Sequence, residues 1–218
     1  VTSNEIMYRL FWAPNTGAFA PQIILEEVAA DYELEVLDYD AHEETESDFL
    51  AVNPRGQIPA LVLPDGTVIT ESAAMILHIA DAHPEKNLLP PLGSIRRARI
   101  YRWLFYAVAN LYESYLRFNY SDRFADEASA TALVKRTAQI DINQYWDLLE
   151  KDMQDNQSKG PYLLGDQYSV IDPYLLMLIG WHESPETLLE RCPNLARLFN
   201  AVCKRSAVRK VWVENTQK

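Results

Sequence analysis

After Gly93 the chain carries no further strand signal, and that switch sets what a sequence of this length can fold into. Before it, strand and helix signals alternate. Tyr8 to Trp12 reads as a short aromatic-rich strand, broken by Pro14 to Gly17. Pro21 suits a first helical turn, where a missing N–H costs little, and that helix runs to about Asp31. Leu34 to Tyr39 reads as a second strand, and Asp48 to Val52 as a helical turn stopped by Asn53-Pro54-Arg55-Gly56. Ala60–Leu63 and Thr67–Thr70 are strands joined by Pro64-Asp65-Gly66, a hairpin signal. Ser72 to Ala82 is helical, with Ala73, Ile76, Leu77 and Ala80 on one side. Such an order predicts a small mixed sheet with helices on its faces, an α/β domain over residues 1–83. Pro84, Pro90 and Pro91 make 84–93 a linker. Residues 94–218 then read as an all-α bundle: Ile95 to about Phe118, about Ser129 to Asp155, Val170 to Trp181, and shorter helices near Glu186, 193–203 and 207–212.

Charge narrows the partners. The net charge is −11, from 31 acidic and 20 basic residues. An acidic surface repels phosphate backbones and anionic lipids, so neither a nucleic acid nor a membrane is an expected partner. No apolar run reaches the ~18 residues of a membrane span. The segment Val1 to Met7 lacks the basic and apolar regions of a signal peptide, so a cytoplasmic location is expected. Cys192 and Cys203, without CxxC spacing, suggest neither a zinc site nor a redox dithiol, and no metal is expected.

Two stretches carry a family likeness. Asn53-Pro-Arg-Gly-Gln-Ile-Pro-Ala-Leu, followed by Thr70-Glu71-Ser72, resembles the glutathione-site signature of the cytosolic glutathione S-transferase superfamily. Gly165 to Pro173, with Ser169-x-x-Asp172, resembles the helix-capping box of that superfamily's helical domain. The opening Leu10-Phe11-Trp12-Ala13-Pro14 and the segment Trp103 to Tyr115 look nearest to bacterial Beta- or Theta-like members. The resemblance implies a thioredoxin-like N-terminal domain that binds glutathione, an all-helical C-terminal domain that holds the second substrate, and a homodimer.

The first stretch also makes chemical sense by itself. An X-Pro bond such as Ile58-Pro59 adopts cis at modest cost. A cis turn ahead of a strand leaves the Ile58 backbone facing outward, where a peptide ligand can pair as a short added strand. A plain turn before an edge strand is the other reading of Ile-Pro alone. Glu71-Ser72 opens a helix, whose free N–H groups suit a carboxylate. By the resemblance, Ser72 holds the γ-glutamyl carboxylate and Glu71 the ligand's ammonium group, either role being compatible with helix capping. Gln57 lies beside the turn, within reach of the ligand backbone. His42 follows strand two, where relatives often bind the glycyl carboxylate; a lone loop histidine is usually just solvated. Ser169-Val-Ile-Asp172 is read as structural.

The chemistry needs a thiolate, yet a free thiol has a pKa of ~8.5. The superfamily aims a hydroxyl or thiol at the sulfur from the end of strand one or the start of helix one. Here the tyrosine position corresponds to Trp12, which has no hydroxyl, and the cysteine position to Gly17, followed by Ala18. Tyr8 comes too early in the strand. Three substitutes remain: the side chains of Asn15 and Thr16; backbone N–H groups from Gly17 to Phe19 with the helix dipole; and Tyr112, where Beta-like relatives carry a histidine. Asn15 and Thr16 are also ordinary turn residues. The resemblance places an apolar-substrate pocket between the domains, under Phe19 and facing Tyr112, Tyr115 and Trp181, all of which read equally as packing residues. Phe105 replaces a polar residue that reaches the partner subunit's ligand in Beta-like relatives.

Two functions follow. One is an enzyme that transfers the glutathione thiolate to a hydrophobic electrophile, or a related glutathione-dependent cleavage, reduction or isomerisation. The other is a non-catalytic or regulatory binding protein on the same fold, favoured by the missing Tyr, Ser or Cys. A dithiol oxidoreductase is a poor third, for want of an N-terminal cysteine.

Overall fold

A computed structural model describes residues 7–38, 41–155 and 160–216. The chain divides into two compact units, one running to Leu89 and including the segment from Lys204 onward, the other spanning Pro90–Cys203.

The first unit is built on a four-stranded sheet in the order β2-β1-β3-β4. Strand β1 (Tyr8–Trp12) pairs in parallel with β2 (Tyr32–Val36) and antiparallel with β3 (Ala60–Val62), which pairs antiparallel with β4 (Val68–Thr70). A parallel pair needs a crossover, supplied by α1 (Phe19–Val28). That helix ends three residues before the expected Asp31. Ala29 turns left-handed at φ 56°, and its N–H and that of Ala30 close back on Glu26 and Leu25. Strand β2 begins two residues before the expected Leu34, and the expected end at Tyr39 lies outside the described residues. It is an edge strand whose Glu33 and Glu35 are exposed, a charge pattern that discourages further pairing.

The hairpin between β3 and β4 closes through Leu63 N–H to Thr67 O, with Asp65 accepting the Thr67 N–H at 2.9 Å. Side chains alternate across the sheet. Phe11 meets Phe49 of α2 (Ser47–Val52) on one face, with ring centroids 5.3 Å apart. Tyr8, Leu10 and Trp12 therefore share the opposite face. Helices α1 and α3 (Ser72–Ala82) pack together.

The last helix, α10 (Ser206–Thr216), packs on α1. Arg205 donates twice to Glu27, at 2.5 and 2.7 Å, Lys210 pairs with Glu26, and Gln22 donates to Glu214. Phe19 meets Trp212 edge-on, centroids 5.8 Å apart. Periodicity identifies a helix here but carries no signal that it returns to the first unit.

The second unit is helical. The helical run expected from Ile95 to about Phe118 is α4 (Ile95–Tyr106), a π-helical stretch (Ala107–Tyr112) and α5 (Glu113–Asn119), contiguous but changing pitch midway. Apolar periodicity over a window does not resolve such a local change of pitch. Helix α6 (Ala128–Asp155) packs along α5. Helix α7 (Ile171–Gly180) is buried from Ile171 through Ile179, as an apolar-all-round helix must be. Helices α8 (Pro185–Arg191) and α9 (Pro193–Val202) complete the unit. Asp172, wholly buried, accepts the Ser169 N–H at 2.7 Å and its hydroxyl at 3.1 Å, and the Leu163 N–H at 2.9 Å. No helix among the described residues is long and apolar enough to cross a membrane.

Candidate functional site

Strand register gathers the candidate residues of the first unit at one end of the sheet. Phe11 is opposite Ala60, and Ala60 is opposite Thr70. Trp12, Pro59 and Glu71 each follow or precede that paired row by one residue, at the same end of the sheet. The Ile58-Pro59 bond is cis. Ile58 and Pro59 are buried and Gln57 is half-buried.

The turn that delivers Ile58 is organised by Asn53, a residue to which the sequence reading gave no role. Its side chain donates to Gln57 O at 2.6 Å and accepts the Arg55 N–H at 3.2 Å. Gly56 sits at φ 57°, where a Cβ would stand 3.0 Å from Glu44 O, so glycine is required by both conformation and space. Arg55, likewise unassigned from sequence, reaches Glu71 at 3.1 Å, with both side chains well exposed. The signal for both residues lay inside the recognised stretch, as Asn53-x-Arg55.

Glu71 caps α3 with φ 67° and ψ 105°, a conformation that L-residues rarely hold. Such a backbone costs ~1–3 kcal/mol and persists where surroundings or function require it. The Glu71 side chain makes no capping bond, and its exposed pair with Arg55 contributes little stability. Replacing Glu71 by glycine is therefore expected to stabilise the fold. Released strain outweighs the ~0.4–1 kcal/mol that glycine adds to unfolded-chain entropy. Calorimetry should read a Tm about 2–4 °C higher for a net gain near 1 kcal/mol. A lower Tm would mean that the left-handed cap is unstrained. Ser72, the first residue of α3, is 6% exposed, and its hydroxyl has no hydrogen-bond partner among the described residues.

The loop after β1 sorts the candidate donors. The Thr16 hydroxyl donates to Ala13 O at 2.7 Å and accepts the Ala18 N–H at 3.3 Å, so its one proton is engaged. Asn15 is exposed at φ 56°, its amide unpartnered among the described residues. Gly17 and Ala18 are buried at the entry to α1. Trp12 is 7% exposed, and its indole N–H has no partner among the described residues. Tyr8 is equally buried, which raises its hydroxyl pKa. His42 is exposed and left-handed, with Nδ1 3.5 Å from the buried Glu44 carboxylate.

In the second unit, Tyr112 ends the π-helical stretch and meets Trp181 edge-on, centroids 4.9 Å apart. Both are half-buried. Tyr115 also borders Trp181, at 6.2 Å, but is 2% exposed. Its hydroxyl accepts the Trp146 indole N–H at 2.9 Å, and burial pushes its pKa up. Tyr115 thus buttresses the aromatic pair from inside the unit. Phe105 is 66% exposed. Burial pushes the Cys192 thiol up to about 11 and raises Cys203 as well, so neither is a ready thiolate. No group of three or more His, Cys, Asp or Glu among the described residues is arranged to hold a metal ion.

Comparison with known proteins matches both halves of the chain. Residues 19–82 fit the family model of the glutathione S-transferase N-terminal domain, and residues 109–215 that of the C-terminal domain. Glutathione S-transferase GstA of Escherichia coli O157:H7 is 27% identical over 92% of this chain and 94% of its own. A glutathione transferase from Methylococcus capsulatus strain Bath is 31% identical, covering 95% of this chain and 98% of that one, with a TM-score of 0.81. A glutathione transferase homologue from Sulfitobacter, solved with bound glutathione, gives a TM-score of 0.88 at 26% identity, over 97% of this chain and all of that one.

Proposed function

This chain belongs to the glutathione S-transferase family, and we propose that it transfers the glutathione thiolate to a small hydrophobic electrophile, as a cytoplasmic homodimer serving detoxification. The reading rests on one observation above the rest. The cis Ile58-Pro59 turn, Glu71 at positive φ and the Ser72 hydroxyl, without a partner among the described residues, stand at one end of a single sheet. That end offers a peptide ligand a backbone to pair with at Ile58, a helix tip for a carboxylate at Ser72, and an acid for an ammonium group at Glu71. Gln57 reaches the ligand backbone, and His42 takes the glycyl carboxylate. Arg55 holds the Glu71 carboxylate in place until the ligand arrives.

In the reaction the bound thiol releases its proton to solvent. The thiolate attacks an electrophilic carbon, a C–S bond forms, and the leaving group departs with the bonding pair. Donors at the sulfur favour the anion, and proximity supplies much of the rest. We assign the Asn15 amide and the N–H groups at the entry to α1 to the sulfur. Thr16 serves by shaping the loop through its bond to Ala13. Tyr112 beside Trp181, both half-buried in the second unit, is the aromatic surface assigned to the apolar substrate, whereas Phe19 is 7% exposed and packs edge-on against Trp212. Tyr115 stands behind that pair within the second unit.

Titration calorimetry with glutathione, followed by turnover of an aryl halide, tests the assignment. Saturable heat and enzyme-dependent release of halide are expected. Heat without turnover would leave a binding protein, and no heat would remove the reading altogether.

A further inference from the structure

We propose that Arg55 and Glu71 clamp the two charges of an α-amino acid, Glu71 taking the ammonium group of the γ-glutamyl end and Arg55 turning to its carboxylate. This rests on the glutathione-site reading given above and adds Arg55 to it as a specificity-determining residue. The pair is built unlike the ion pairs that tie other elements together. Arg117 with Asp141, and Arg205 with Glu27, keep a third or less of each side chain exposed. Arg55 and Glu71 are 65% and 61% exposed, and an exposed pair adds little to stability. They meet through one bond, Arg55 Nη1 to Glu71 Oε1 at 3.1 Å. A guanidinium carries several N–H groups in a fixed fork, and a carboxylate two oxygens. The other guanidinium N–H groups and Glu71 Oε2 have no partner among the described residues. Both groups are thus open to a ligand while still paired with each other.

Their backbones are held at the ligand-binding end of the sheet. Glu71 follows Thr70, whose partner in the β3–β4 register is Ala60, next to the cis Ile58-Pro59 turn. It caps α3 at φ 67°, one residue before Ser72. The Arg55 N–H donates to Asn53 Oδ1 at 3.2 Å, and the Asn53 amide donates to Gln57 O at 2.6 Å. The turn that delivers Ile58 therefore also fixes where the Arg55 side chain begins. The ammonium and carboxylate of a γ-glutamyl group hang on one carbon. An ammonium that displaces the guanidinium from Glu71 carries that carboxylate within reach of the guanidinium it displaced, and of Ser72. The exchange keeps every charge paired: ammonium for guanidinium at Glu71, ligand carboxylate for Glu71 at Arg55. The planar fork of arginine matches a carboxylate. Glutathione brings two carboxylates and one ammonium to a protein of net charge −11. An acid alone at Glu71 would repel the carboxylate beside the ammonium, and the adjacent guanidinium offsets that repulsion.

The test uses two peptides, glutathione and 4-aminobutanoyl-cysteinylglycine, which keeps the ammonium group and lacks the α-carboxylate. Arg55→Gln removes the charge and leaves the backbone N–H that Asn53 accepts, so the turn is retained. In that variant the calorimetric dissociation constant for glutathione should rise about tenfold. The constant for the decarboxylated peptide, measured by displacing it with glutathione, should change less than about twofold. Equal weakening of both peptides overturns the clamp, because Arg55 then acts through the shape of the turn. Unchanged or tighter binding of glutathione overturns it too, Arg55 being then only a competitor for Glu71. No heat when glutathione is added to the parent protein overturns the glutathione-site reading, and the clamp with it. Heat in the parent with equal losses in the variant overturns the clamp alone.

Discussion

Asp172→Ala is expected to lower the melting temperature by about 10 °C, since about 3–4 kcal/mol is lost and each costs ~2–4 °C in a chain this long. The carboxylate is wholly buried and receives three donors: the Ser169 N–H, the Ser169 hydroxyl and the Leu163 N–H. Removing one buried acceptor strands all three, and hydrogen bonds to a charged group are each worth ~1.5–3 kcal/mol before relaxation. The damage also spreads. Leu163 lies in the turn where Tyr162 and Gly165 exchange backbone bonds at 2.9 Å, and Asp172 ties that turn to the central helix α7. Asp172→Asn keeps one acceptor oxygen and should cost about half as much, while Ser169→Ala removes only the hydroxyl's bond, ~1 kcal/mol. Differential scanning calorimetry checks the series. An Asp172→Ala protein melting within about 3 °C of the parent would show that the turn relaxes around the loss.

The same residue marks how far the sequence can be read. Ser169-x-x-Asp172 is visible as a capping pattern because both partners lie within one helical turn. The bond to Leu163 is not, since nothing in the local pattern says which way the preceding loop folds back. The first unit was legible for the same reason: β1, the β3–β4 hairpin and α3 are set by short-range alternation and turn residues. Helix α10 was legible as a helix, but its packing on α1 rests on Arg205, Lys210 and Glu214 meeting residues some 180–190 positions away, such as Glu27. The π-helical stretch ending at Tyr112 escaped because it leaves the apolar spacing almost unaltered. At the candidate site, the turn at Ile58-Pro59 and the helix tip at Ser72 were readable as motifs. Trp12 was noticed only for the hydroxyl it lacks. That its indole N–H is buried, with no partner among the described residues, is a fact of three-dimensional packing.

Ser72→Ala is expected to weaken glutathione binding by about 10–100-fold, with kcat at saturating glutathione nearly unchanged and Tm within about 2 °C of the parent. The reasoning separates binding from folding by position. Ser72 is the first residue of α3, and Glu71 is the cap, so the Ser72 hydroxyl does no capping. It is 6% exposed and has no partner among the described residues, so its removal strands no protein group. What it loses is a bond to a ligand carboxylate, and bonds to charged groups are worth ~1.5–3 kcal/mol against 1.4 kcal/mol per tenfold in affinity. The carboxylate lies far from the reacting sulfur in the ligand. Its contact is therefore the same in ground and transition states, and its loss raises KM and leaves kcat alone. Ser72→Thr keeps the hydroxyl and should recover most of the affinity. A decrease of less than about threefold in Ser72→Ala, measured by calorimetry, would mean that the backbone N–H groups of α3 hold the carboxylate without the side chain.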